Sequence, residues 1–226
     1  MTAEGQWCLA WAAQRTGPAT RAALDKRAKW QNRILNIGFL DDDADEDLMD
    51  RVKTAAKIWT EFARLTFVFV NDVKQAQIRI SFSQSGSWSV LGNTALQVPK
   101  NKPTMNFGWL TPNSSDEQVR SVVLHEFGHA IGLIHEHQNP AGGIPWNKPQ
   151  VYRDLSAPPH QWDKEKVDRN FFAVYDKELT VHTKVDDKSI MMYPIAQNWV
   201  TEAGFARDLN ADLSDLDRSF IREQYK

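Results

Sequence analysis

The sequence predicts an α+β fold in two lobes: sheet and helices above, and an irregular lower part closed by a C-terminal helix below. Three observations predict it. Strand, helix, strand and strand patterns follow one another between Arg33 and Phe82. A helical stretch from about Asp116 carries His125 and His129 four residues apart. Beyond His137 the chain becomes rich in proline and glycine, as in NPAGGIPWNKP and SAPPH, which favours turns over regular elements.

In chain order, residues 1–32 read as a leader or N-terminal extension, rich in Ala, Arg and Lys, with a turn at Gly17-Pro18. Residues 33–226 read as the folded domain, with an upper lobe over about 33–136 and a lower lobe over about 137–226. The stretch RILNIGFL from Arg33 alternates as a strand does. The acidic run Asp41 to Asp47 has neither the spacing nor the glycine of an EF-hand, so calcium is not expected. Carboxylates there suit the positive end of the helix that follows. That helix places Leu48, Val52, Ala55, Ala56, Trp59, Phe62 and Ala63 on one face.

TFVFV (66–70) and AQIRISF (76–82) are the next strands, and Ser83 to Gly92 reads as loop. Ala95–Val98 and Thr104–Trp109 read as short strands. Ser114 or Ser115 caps the helix from Asp116, with Glu117 or Gln118 completing a capping box. Val119, Val122, Val123 and Phe127 then face inward, leaving His125 and His129 toward a cleft. A last helix is expected over Leu213–Gln224, capped by Asp212 or Ser214.

Composition narrows the partners. The net charge of −2 gives no electrostatic case for nucleic acid or anionic lipid, and no apolar stretch reaches membrane-spanning length. The first fifteen residues carry no signal-peptide pattern, which leaves an intracellular chain and one secreted after processing or by a non-classical route both open. The lone cysteine, Cys8, forbids an intramolecular disulfide. A monomer is expected.

The chemistry lies in HEFGHAIGLIH, from His125 to His135. On a helix, His125 and His129 stand one above the other, where two imidazoles can share one ion. Glu126 can take a proton from water at that ion. Gly132 permits a left-handed turn out of the helix, bringing His135 round as a third ligand. Three nitrogens leave a fourth position open, as catalytic zinc sites do. HExxH alone arises by chance; the added glycine and third histidine make one Zn2+ the expected cofactor.

HExxHxxGxxH followed by SIMMYP (Ser189 to Pro194) resembles the metzincin zinc metallopeptidases. Glu136 directly after His135, with the Ser-Ile-Met-x-Tyr order, resembles the astacin-like branch (peptidase family M12A-like). The resemblance implies a mixed twisted sheet, and an edge strand (Ala95–Val98 would suit) that holds an extended peptide or protein substrate. It implies a zinc-dependent endopeptidase with Glu126 as general base and Tyr193 as a hydrogen-bond donor to the oxyanion. Met191 would be the floor beneath the imidazoles, whereas a matrixin register would give that place to Met192. Rival readings are a catalytically silent binding module and a zinc hydrolase of a small amide.

Several residues keep two readings. Glu136 either anchors a charged group, as its astacin equivalent does for the mature N-terminus, or is an exposed loop carboxylate. Cys8 either reaches the fourth zinc position as a latency thiolate or is a small apolar residue within WCLAW, the reading favoured here. His137 is expected on an exposed loop and not as a ligand; His160 and His182 are expected at the surface. The nine tryptophans scatter without a repeat, which suits core and cleft packing better than a sugar site.

Overall fold

A computed structural model of the chain describes residues 9–11, 24–41, 43–158, 160–174, 178, 180–181 and 184–226. Six strands form the main sheet: β1 (Leu9–Trp11), β3 (Ile34–Phe39), β4 (Thr66–Phe69), β5 (Ile78–Ser81), β6 (Ser87–Val90) and β7 (Met105–Phe107). Their order is β1-β6-β7-β5-β3-β4. Every pairing is parallel except β6 with β7. The sheet is therefore mixed, as expected. A separate antiparallel pair joins β2 (Leu24–Asp25) to β8 (Thr180–Val181).

Helix α1 (Glu46–Phe62) packs Leu48, Val52, Ala55, Ala56 and Trp59 into the core. Asp45 caps it by accepting from Leu48 N at 2.8 Å, with Glu46 and Asp47 in the first turn, so three acidic residues sit at the positive end of the macrodipole. Helix α2 (Asp116–Ala130) starts at Ser115, whose hydroxyl accepts from Gln118 N while Gln118 reciprocates to the Ser115 amide. Its buried Val119, Val123 and Phe127 join Trp59, Phe67 and Phe107 in the main core. Trp59 Nε1 donates to Leu124 O at 2.9 Å and ties the two helices together.

The stretch expected as a strand at Ala95–Val98 is a correction: Gly92–Gln97 form a 3-10 turn. Gly92 has φ +49° and lies against Ala28 so closely that a Cβ would overlap the Ala28 carbonyl oxygen. That left-handed residue ends the strand before it can reach residue 95. The strand instead lies at Ser87–Val90, inside the stretch read as loop, because Ser87 and Ser89 are buried by neighbouring strands despite their turn-like composition.

Packing also extends N-terminal to residue 33. Leu24, Ala28 and Trp30 are buried, Asn93 N donates to Ala28 O at 2.8 Å, and Trp30 Nε1 donates to Ala130 O at 2.7 Å.

The lower lobe has its own apolar cluster, built from Val151, Leu155, Trp162, Phe171, Met192 and Trp199 among others. It is less irregular than its composition suggests, holding α3 (Lys148–Ser156) and the short α4 (Lys164–Val167), which runs into a π-helical turn over Asp168–Phe172. Pro149 near the start of α3 and the i,i+4 pair Val151 and Leu155 are the helix signals within that proline-rich run. The last helix, α5 (Asp215–Gln224), is capped by Ser214 with Asp217 completing the box. No helix among the described residues is long and apolar enough to cross a membrane.

Candidate metal centre and active site

Helix α2 delivers His125 and His129 on one face, and the chain then reverses at Gly132, whose φ is +99°. Gly132 N donates to His129 O at 2.9 Å and Leu133 N to Gly128 O at 2.9 Å, so the reversal satisfies the helix's last carbonyls. It also delivers His135. The three side chains offer ligand nitrogens that all lie within 4.8 Å of one another, and all three are buried.

The backbone sets their tautomers. His125 Nδ1 lies 2.7 Å from Ile190 O, and His129 Nδ1 lies 2.8 Å from Leu133 O. A carbonyl only accepts, so each Nδ1 is the protonated nitrogen and each Nε2 keeps its lone pair for an ion. His125 Nε2 is buried with no hydrogen-bond partner among the described residues, and His129 Nε2 faces His135 Nε2 at 3.0 Å. Burial pushes the pKa of His125 down to about 4 and holds those of His129 and His135 well below the usual histidine range. Neutral imidazoles with converging lone pairs are the donor set that zinc takes, so the residues fit the metal.

Glu126 is buried on the same helix, next to the first histidine. Tyr193 is buried with its ring 4.1 Å from that of His135 and 6.1 Å from that of His125. Met191 packs beneath α2, where a Cβ added to Gly128 would overlap its sulfur, and it belongs to the main core. Met192, its neighbour, turns into the lower-lobe cluster.

Two expectations are corrected. Glu136 is not an exposed carboxylate: it is buried, accepting from Asn139 Nδ2 at 2.8 Å and from Asp186 N at 3.0 Å. Burial pushes its pKa up to about 7. It lines a cavity of about 20 Å³ together with Asp186, Asp217, Ser189 and Met191. His137 is likewise buried, stacked on Tyr193 at 4.5 Å, with Nε2 2.9 Å from Asn170 O. Both residues sit on a 3-10 turn, Glu136–Gln138, that the lower lobe covers, which is why a loop-like sequence goes inside. His160 is half-buried beside Trp162. Cys8 and His182 lie outside the described residues.

The sequence did not single out Gly128 or Asp217, and it used Ser189 only as the first residue of the SIMMYP motif. Ser189 Oγ donates to Asp217 Oδ1 at 2.7 Å, and Ile190 N donates to Asp217 Oδ2 at 2.8 Å. Only Gly128 carried a local signal, since glycine inside a helix costs about 1 kcal/mol relative to alanine and usually has a packing reason.

The matrixin family model (peptidase M10) matches residues 29–153. A solved structure of myroilysin is 40% identical, with a TM-score of 0.85, covering 89% of this chain and 97% of that one. The high choriolytic enzyme 1 of Oryzias latipes, a hatching enzyme zinc-protease, shares the fold at 17% identity and a TM-score of 0.55, over 87% of this chain and 92% of that one. The hatching enzyme of Paracentrotus lividus is 29% identical over 113 residues, 44% of this chain, and the match spans only 19% of that longer protein. With a family model matched over more than half of its residues, the chain belongs to the matrixin family, among the metzincin-type zinc metallopeptidases.

Proposed function

We propose that this chain is a zinc-dependent endopeptidase of the astacin-like kind. The observation that carries the reading is the triad itself: three neutral, buried imidazoles with ligand nitrogens within 4.8 Å, and Glu126 beside them on the same helix. Zinc bound there supplies Lewis-acid chemistry, polarising a peptide carbonyl and acidifying water. Glu126 takes the proton of the attacking water and returns it to the leaving amine. Tyr193 offers its hydroxyl to the oxygen that gains charge.

The placement of Met191 beneath Gly128, with Met192 in the lower-lobe core, supports Met191 as the turn methionine. The burial of Glu136 beside Asp186 and Asp217 supports it as the anchor of a cation, the ammonium of a trimmed N-terminus in the astacin-like reading.

Within the leader, the strand Leu9–Trp11 is read as inhibitory on one observation. Leu9–Trp11 pairs with β6, the strand that would otherwise end the sheet on that side. A substrate that binds by adding a strand needs such an edge.

The test is cleavage of a peptide library by the zinc-loaded chain, intact and after limited proteolysis of the leader. Internal peptide bonds are expected to be cut, with faster cutting after trimming, and Glu126→Gln is expected to abolish the cutting. Absence of cleavage by both the intact and the trimmed wild-type forms contradicts the reading.

A further inference from the structure

We infer that Asp217, at the start of α5 and outside the signature motifs, is a positioning residue of the zinc centre, acting through the Ile190 peptide on His125. The inference rests on the zinc reading above. One carboxylate collects three donors: Ser189 Oγ at 2.7 Å, Ile190 N at 2.8 Å and Ser214 N at 3.0 Å. The third bond only caps its own helix. The first two cross to the turn beside the metal centre.

Other bonds fix the residues around it, Ser189 N to Asp186 O at 3.2 Å, Met192 N to Ser189 O at 3.0 Å and Asn210 Nδ2 to Ser189 O at 2.8 Å, but the Ile190 peptide N–H is held by Asp217. Ile190 presents its N–H to Asp217 and its C=O to His125 Nδ1, so one peptide plane is held at both ends. Tilting this plane misdirects the carbonyl that keeps the proton on Nδ1 and the lone pair on Nε2 of the first ligand. The neighbouring bond works in the same direction: Ser189 Oγ, while donating to Asp217, accepts from Met191 N at 3.0 Å. Asp217 therefore governs both the His125 tautomer and the seat of Met191 under Gly128. Its burial, 8% exposed, keeps water from substituting for either bond.

The alternative is that Asp217 merely caps α5, and a paired control separates the two roles. Ser214→Ala breaks the other half of the capping box, Asp217 N to Ser214 Oγ at 2.9 Å, and the bond from Ser214 Oγ to Asp186 Oδ2 at 2.5 Å, neither of which involves Ile190. Asp217→Asn keeps the volume but replaces one acceptor oxygen with a donor.

Zinc affinity of the full chain is measured by chelator competition, together with thermal melting and the visible absorption of the cobalt-substituted form. Asp217→Asn is expected to weaken zinc binding about 10-fold, the lower end of the cost of losing a ligand's outer partner because Asp217 acts on that partner, and to alter the cobalt spectrum. Ser214→Ala is expected to lower the melting temperature while leaving both metal readouts at wild type. Zinc affinity within twofold of wild type in Asp217→Asn overturns the inference, as does equal weakening in Ser214→Ala. If Asp217→Asn fails to fold, Ser189→Ala carries the test: several-fold weaker zinc is expected, and unchanged affinity overturns the inference. A wild-type chain that binds no zinc overturns the zinc reading itself, and the inference with it.

Discussion

Helix α2 and the turn Ser189–Tyr193 meet at the same three imidazoles, and they are held there by different kinds of interaction. The helix is specified nearby: Ser115 and Gln118 close its start, Gly132 ends it, and Val119, Val123 and Phe127 bury one face. The turn is specified at a distance. Asp217 holds Ser189 and Ile190, Asn210 Nδ2 donates to Ser189 O at 2.8 Å, and Glu136 N donates to Met191 O at 2.9 Å. Short-range rules thus build the half of the site that bears Glu126 and two ligands. The half that bears Tyr193 and Met191 depends on the end of the chain coming back.

The largest expected effect falls on the helix side. Glu126→Gln should keep its zinc and its melting temperature and lose at least about 10²-fold in turnover, the lower end for removal of a general base. Single-turnover cleavage of one peptide, with metal content measured alongside, checks it. Near wild-type cleavage would return Glu126 to a packing role.

On the turn side, Tyr193→Phe removes one hydroxyl and leaves the ring stacked on His137 and tilted against His135. If the hydroxyl bonds to charge that develops in the transition state, as proposed, turnover should fall by roughly 10²-fold with little change in KM. A silent substitution would mean that the turn contributes shape alone.

Gly128→Ala tests the seam between the two halves. The added methyl meets Met191 Sδ, which is packed in the core, so a loss of about 1–3 kcal/mol in unfolding free energy is expected from overpacking. In the Met191→Ala background the same change should cost measurably less, since the two residues share one space. Denaturant unfolding of the four proteins of this cycle gives the coupling; additivity would separate Met191 from the helix.

The smallest effect concerns His137, which burial holds neutral with a pKa of about 4. Because the folded value lies below the usual one of about 6.5, the unfolded chain takes the proton first. The stability that depends on a neutral His137 is therefore complete above about pH 6.5 and is lost as pH falls toward 4. His137→Gln can still donate to Asn170 O and removes this titration. With chelator present, its unfolding free energy should depend less steeply on pH across that window, by about one proton. An unchanged slope would show that His137 does not titrate there.

What the sequence made legible follows the same division. The α2 cap, its inward residues, the Gly132 reversal and the ligand triad were readable because each depends on residues within a turn or two of one another. Strands β3, β4 and β5 were readable from their β-branched and aromatic runs, whereas the mixed character of the sheet came from the resemblance, because its antiparallel pair involves β6. Strand β6 was not readable, because Ser87 and Ser89 carry no strand signal and are buried only through their neighbours. The burial of His137 was missed, and that of Glu136 was left open between two readings, because polarity in a short loop says nothing about what folds over it. Asp217 drew no reading from the sequence, because Ile190, whose N–H it accepts, is adjacent only in the folded chain.

The central claim is that one metal is held jointly, by two ligands on α2 and one beyond its end. Elemental analysis of the dialysed wild-type chain, beside His129→Ala and His135→Ala, tests it most directly. The account predicts close to one zinc per wild-type chain and loss of most of it in both variants, since two nitrogen ligands rarely hold zinc against chelation. Full zinc content in either variant would contradict it.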